Sequence, residues 1–158
     1  MTKTLEDQAR LTNDVGFRLS RLARHLRAQW GERLSVLGLT QPQAAILRAL
    51  RERPNIGLRE LSRMIGADPS NLRKEIERLT RDEYVHTPGI SQPGRKATLS
   101  LTTKGEAMTT AVVELSVDQA RSSFGRLDPA DQLALTLAIA KLEAIVGIGD
   151  HYGSPRGG

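Results

Sequence analysis

The residues best equipped for chemistry cluster in the middle of this 158-residue chain. Ser70, Asn71, Arg73 and Lys74 follow directly on Asp68-Pro69, with Arg78 and Arg81 further along the same run. Beyond them, Arg95 and Lys96 follow the second of two Pro-Gly pairs. These are hydrogen-bonding and cationic types without a nucleophile–base partnership. Arg and Lys can pair with the acceptor edge of guanine, Asn with adenine, and Ser with either. The same cations can hold phosphate.

Other chemistries lack their parts. No glycine-rich phosphate cradle, nucleophile elbow or pair of carboxylates on one helix face occurs, so no enzyme is expected. Ser and Asp fall mostly where helices begin, and capping explains them there. The absence of cysteine excludes disulfides, thiolate metal sites and thiol chemistry. His25, His86 and His151 share no metal-ligand spacing, so neither a metal nor a cofactor is expected.

The cationic run must be carried by a helix with two faces. Asp68 serves as its N-cap and Pro69 as its first helical residue, and it is expected to run to about Asp82. At roughly 100° per residue, Ile76 and Leu79 fall within about 40° of Leu72. Ser70, Lys74 and Arg81 then point almost the opposite way, flanked by Asn71, Arg73 and Arg78. Glu75 and Glu77 count against a purely electrostatic grip. Taken alone, such a helix could equally be a solvated face; the basic segment that follows tips the balance.

The neighbouring elements complete a recognisable order. A short helix over about 58–65 is expected to turn Leu58, Leu61 and Ile65 inward and to stop at Gly66. After the cationic helix come two β-like runs, 84–87 and 97–102, joined by the Pro-Gly-rich stretch that holds Arg95 and Lys96. Short helix, tight turn, second helix and basic hairpin make a helix-turn-helix with a wing. A basic hairpin tip suits phosphate or a minor groove.

Upstream, Leu11, Val15, Leu19, Leu22, Leu26, Trp30, Leu34 and Leu37 mark one long helix over 11–37, with Gly31 as a point where it could kink or break and Gly38 as its stop. Thr40-Gln41-Pro42-Gln43 carries a capping-box pattern that restarts a helix, which buries Ile46, Leu47 and Leu50 and ends before Pro54. Downstream, one helix is expected from about 102 to Phe124 and another from Asp128-Pro129 to Val146. The last is apolar on two sides, so more than one neighbour should bury it. Residues 148–158 read as a flexible glycine-rich tail.

Composition fits this picture. Hydrophobic residues make up 39% but aromatics only 3%, so the core must be built from Leu, Ile, Val and Ala. Such a lean core hints that some burial occurs between subunits. The net charge of +5 suits a polyanionic partner, and the basic excess falls in the first two-thirds of the chain. No apolar run approaches the roughly 20 residues that span a bilayer, and the N-terminus has no apolar signal segment. The expected location is the cytoplasm, away from membranes.

Three stretches resemble the MarR family of winged-helix transcriptional regulators. Leu37-Gly38-Leu39-Thr40, followed by Pro42, Ile46, Leu47 and Leu50, is similar to the family's lead into its second helix. Leu61 through Leu79 is similar to its helix-turn-helix, and Leu101-Thr102-Thr103-Lys104-Gly105 to the motif that ends its wing. The resemblance covers about residues 11–146 without gaps. It implies a mainly α fold with a small β-hairpin, and a homodimer whose N- and C-terminal helices interlock. The corresponding regions are 1–37 and 103–147 for dimerisation, with 38–102 as the DNA-binding lobe.

Carried over by position, the resemblance implies recognition by Ser70, Asn71, Arg73 and Lys74 and a wing arginine at Arg95; the outward helix face and the basic hairpin tip add Arg78 and Lys96 as expected DNA contacts. The resemblance implies a pseudo-palindromic double-stranded operator, repression, and relief by a small aromatic or amphipathic effector in a cleft near His25 and Trp30. The sequence departs from the family at Pro93, where Asp usually stands, at Glu83, where Gly is usual, and at Thr87, commonly basic. The alternative to DNA binding is a winged-helix module, or anti-regulator, that binds protein.

Overall fold

The computed structural model describes residues 10–88 and 98–148. Six α-helices and one two-stranded sheet are present among them: α1 (Val15–Ser35), α2 (Gln41–Glu52), α3 (Leu58–Ile65), α4 (Pro69–Arg81), β1 (Val85–His86), β2 (Ser100–Leu101), α5 (Thr103–Ser122) and α6 (Pro129–Val146). A single 3₁₀ turn, Phe124–Arg126, joins α5 to α6. The tail beyond Ile148 and the hairpin tip lie outside the described residues.

Capping chemistry sets most of the boundaries. The Asp14 carboxylate accepts from the Phe17 amide at 2.7 Å, so α1 begins at Val15 rather than at Leu11. Thr40 and Gln43 form a reciprocal capping box at the start of α2. Asp128 accepts from the Asp131 amide at 2.8 Å at the start of α6. Gly38, at φ +68°, ends the first helical segment in the left-handed conformation that glycine adopts without a Cβ penalty. Gly31 does not break α1, which runs through it from Val15 to Ser35.

One core holds the middle of the chain together. Leu34 of α1, Ile46, Leu47 and Leu50 of α2, Leu61 and Met64 of α3, and Leu72, Ile76 and Leu79 of α4 are buried together with Val85, Leu99 and Val112. On α3 the buried pair is Leu61 and Met64; Leu58 and Ile65 are only partly buried, because the three-residue step from Leu61 points Met64 at the core. Thr109 is also buried, its hydroxyl donating to the Gly105 carbonyl at 2.7 Å.

The strands are shorter than the alternation over 84–87 and 97–102 implies. Val85 pairs with Leu101 and His86 with Ser100, antiparallel. Leu99 turns to the other side and bridges Ile56 in the α2–α3 connection, where its carbonyl accepts from the Asn55 amide at 3.0 Å. Strand β2 is thus clamped between β1 and the loop before α3.

The two terminal regions differ from the core. Val15 is 74% exposed, and Leu19 and Leu22 are also exposed. No residue of α6 is buried: Leu133 stands 61% and Ile145 80% exposed. The expectation that several neighbours bury this helix is therefore not met among the described residues of one chain, which leave its apolar sides exposed.

Gly105 shows how tightly the base of the hairpin meets α5. A Cβ there would stand well inside contact distance of the Tyr84 carbonyl oxygen, which is backbone and cannot swing away. Gly105→Ala is expected to destabilise the protein by about 2 kcal/mol, as overpacking does. Denaturant unfolding followed by circular dichroism reads it.

Candidate nucleic-acid interface

Helix α4 is held by one side and free on the other. Leu72, Ile76 and Leu79 are buried, whereas Ser70, Asn71, Arg73, Lys74, Arg78 and Arg81 are exposed. Asp68 fixes its first turn by accepting from the amides of Ser70 at 3.0 Å and Asn71 at 3.1 Å. The preceding turn is closed by Gly66 at φ +64° and by the Ser62 hydroxyl, which donates to the Ala67 carbonyl at 2.7 Å. The angle between α3 and α4 is thereby fixed by backbone as well as by the core.

The structure brings five of the sequence-predicted residues, Ser70, Asn71, Arg73, Lys74 and Arg78, onto one exposed surface. Arg73 and Lys74 have no hydrogen-bond or ion-pair partner among the described residues, so their charges are available to a ligand. Arg78 is engaged: its Nη1 donates to Glu75 Oε1 at 3.1 Å. Glu75 in turn accepts at Oε2 from the Gln43 side-chain amide at 2.9 Å. Reading the sequence alone, Glu75 is only an opposing charge; its partner on α2 lies 32 positions away and leaves no local signal. Arg95 and Lys96 lie outside the described residues.

The far end of α4 is clipped to α5. The Glu83 and Tyr84 amides donate back to the carbonyls of Thr80 at 3.1 Å and Leu79 at 2.9 Å, a Schellman closure of the helix. Its pivot is Glu83 at φ +64°, the left-handed position where the family's usual glycine costs nothing and a glutamate is strained. The Thr102 hydroxyl donates to the Glu83 carbonyl at 2.6 Å, and Lys104 Nζ donates to the Asp82 carbonyl at 2.7 Å. Lys104 also stands 4.7 Å from the Tyr84 ring centroid. The stretch Leu101–Gly105 is thus a latch between the reading helix, the hairpin base and α5.

A second feature lies behind this surface. Gly31 of α1, Leu39 and Thr40, Gln41 and Pro42 at the start of α2, and Ile65 of α3 border an open, largely apolar pocket of about 650 Å³. The Gln41 side chain donates to the Arg27 carbonyl at 2.8 Å, tying α2 to α1 along its rim. Neither His25 nor Trp30 lines this pocket: His25 is exposed, and Trp30 packs partly buried against the core. Among the described residues no cluster of three or more His, Asp or Glu could hold a metal ion, and no helix is long and apolar enough to cross a membrane.

Comparison with known proteins agrees with this architecture. The family profile described as winged helix-turn-helix DNA-binding matches residues 43–86, the span from α2 to β1. The fold and site therefore define a winged helix-turn-helix protein. The HTH-type transcriptional repressor Rv2887 of Mycobacterium tuberculosis is 31% identical over 94 residues, covering 60% of this chain and 68% of that protein. The crystal structure of Rv2887, a MarR family protein, in complex with DNA matches with a TM-score of 0.69 at 25% identity, over 81% of this chain and 96% of that one. Its complex with salicylic acid matches with a TM-score of 0.65 at 26% identity, over 81% and 95%. The chain belongs to the MarR family.

The strain at Glu83 yields a prediction independent of DNA. Glu83→Gly is expected to stabilise the fold by up to about 1 kcal/mol, the order of the left-handed penalty less the entropy glycine loses on folding. A rise in Tm would meet it; a fall would show that the glutamate side chain itself contributes.

Proposed function

We propose that this protein is a transcriptional repressor that reads double-stranded DNA as a homodimer. Its order along the chain is an N-terminal dimerisation helix within 1–37, a DNA-binding lobe over 38–102 and C-terminal dimerisation helices over 103–147. The observation that carries the reading is the two-faced α4, with Leu72, Ile76 and Leu79 anchored and Arg73 and Lys74 unpartnered on the outside. Ser70, Asn71, Arg73 and Lys74 occupy its first turns, the part that enters a major groove. Arg95 and Lys96 on the wing are assigned to the backbone or minor groove beside it. It acts by binding, not by turnover, and in the cytoplasm.

The exposed apolar sides of α6 and of the first half of α1 support the dimer. Val15, Leu133, Leu137 and Ile145 would be costly to leave in water, since each buried side chain of this size contributes about 1.5–3 kcal/mol. A second copy covers them by interlocking with the same helices. The relatives support the rest: Rv2887 is a repressor crystallised with DNA and with salicylic acid. A small aromatic or amphipathic effector fits the pocket bounded by Leu39, Pro42 and Ile65, whose polar handles are Thr40 and Gln41. His25 and Trp30, expected near such a cleft, stand on α1 outside the lining of this pocket.

Selection of bound sequences from a random duplex pool at two salt concentrations tests the reading. A two-fold symmetric site is expected, with half-sites about 34 Å apart. Affinity should fall steeply with salt, since each phosphate contact adds roughly 0.9 to the logarithmic slope. Enrichment without sequence preference would contradict sequence-specific repression, and no binding would favour a protein-binding module. Arg73→Ala should cost about 1–3 kcal/mol on the enriched site and relax preference at one base pair. Leu137→Glu should give monomers in sedimentation and lose the symmetric site.

A further inference from the structure

We propose that Glu75 and Gln43 together position Arg78, making it a specificity-determining residue whose aim is set from α2. This inference rests on the DNA-binding reading above and adds a relay to it. The chain of contacts is continuous. The Gln43 carbonyl oxygen accepts from the Thr40 amide at 3.1 Å, which fixes the side chain at the start of α2. Its amide nitrogen then donates to Glu75 Oε2 at 2.9 Å. The other carboxylate oxygen of Glu75 accepts from Arg78 Nη1 at 3.1 Å.

Burial grades along this chain in the direction a relay needs. Gln43 is 7% exposed, the Glu75 side chain 17% and that of Arg78 56%. A buried amide holds a half-buried carboxylate, which holds one edge of an exposed guanidinium. One edge of Arg78 is thereby biased toward Glu75 while its other N–H donors stay open to a ligand. A guanidinium set in this way loses less freedom on making a two-pronged contact than one on a loose stem. Asn71, Lys74 and Arg78 fall on one flank of α4 at helical spacing, so Arg78 shares its side of the helix with two of the candidate base contacts.

The other end of the chain borders the pocket. Thr40, whose hydroxyl and amide complete the cap with Gln43, lines its rim. The unlike roles of the cations follow. Arg73 and Lys74, unpartnered, adapt to phosphate or base, whereas Arg78 is preset.

The test compares affinity for the selected duplex with affinity for a random duplex of the same length, in full-length wild type, Glu75→Gln, Gln43→Glu, Arg78→Ala and the two doubles with Arg78→Ala. Glu75→Gln keeps shape but removes the charge that holds Arg78. Gln43→Glu retains a capping-box residue at the start of α2 while setting carboxylate against carboxylate at the relay contact. Each should lower the selected-to-random ratio by about 5- to 10-fold, the low end of one well-placed base contact. Neither should weaken binding to random duplex. In the Arg78→Ala background both should leave the ratio where Arg78→Ala alone puts it.

A ratio that still falls in that background means Glu75 acts structurally or by its own charge, and overturns the relay. Equal loss on both duplexes means a folding defect and overturns it too, as does an unchanged ratio in the single variants. Wild type that discriminates while the variants behave like it leaves DNA reading intact and removes only this inference; wild type that fails to discriminate removes both.

Discussion

The structure depends on the anchoring of a single helix by a third of its circumference. Leu72, Ile76 and Leu79 reach into the core that Leu47, Leu50 and Leu61 supply from α2 and α3, and Ser70, Asn71, Arg73, Lys74 and Arg78 are carried on what remains. Were this anchor loose, the outward side chains would have no fixed direction, and charge alone would give affinity without preference. Three independent devices hold the helix: the Asp68 cap at one end, the Schellman closure at Glu83 at the other, and the core between.

The latch around Thr102 and Lys104 extends that anchor into α5. It ties the Asp82 and Glu83 carbonyls, just past α4, to the start of α5, while Arg51 on α2 meets the Glu106 carboxylate at 3.1 Å and the Thr110 hydroxyl at 2.9 Å. These surface contacts are individually weak. Together with the close approach at Gly105, they make the hairpin base, α4 and α5 one unit. A shift of α5 would therefore carry α4 along instead of being absorbed in a hinge.

Local chemistry made much of this readable in advance. Thr40, Asp68 and Asp128 as caps, Gly38 and Gly66 as stops, and the 100° periodicity of Leu72, Ile76 and Leu79 all depend on neighbours within a few positions, and the structure places them accordingly. The misreadings came from longer range. Alternation at Leu99 and Leu101 cannot say that one pairs with Ile56 and the other with Val85. Two apolar sides on α6 say that something must cover it, but not that none of the described residues does. Of the site, the outward cations were legible because a helix shows its faces in its spacing. The partnership of Gln43 with Glu75 was not, because it joins two helices brought together only by the fold.

The central claim is that a duplex contacts the outer side of α4 while its inner side stays anchored. Backbone amide NMR shifts recorded during titration with the selected duplex address it most directly. The largest changes should fall on residues 70–74 and 78, with the amides of Leu47, Leu61 and Leu79 nearly still. Changes confined to α1 or α6, or a collapse of the core resonances on binding, would contradict it.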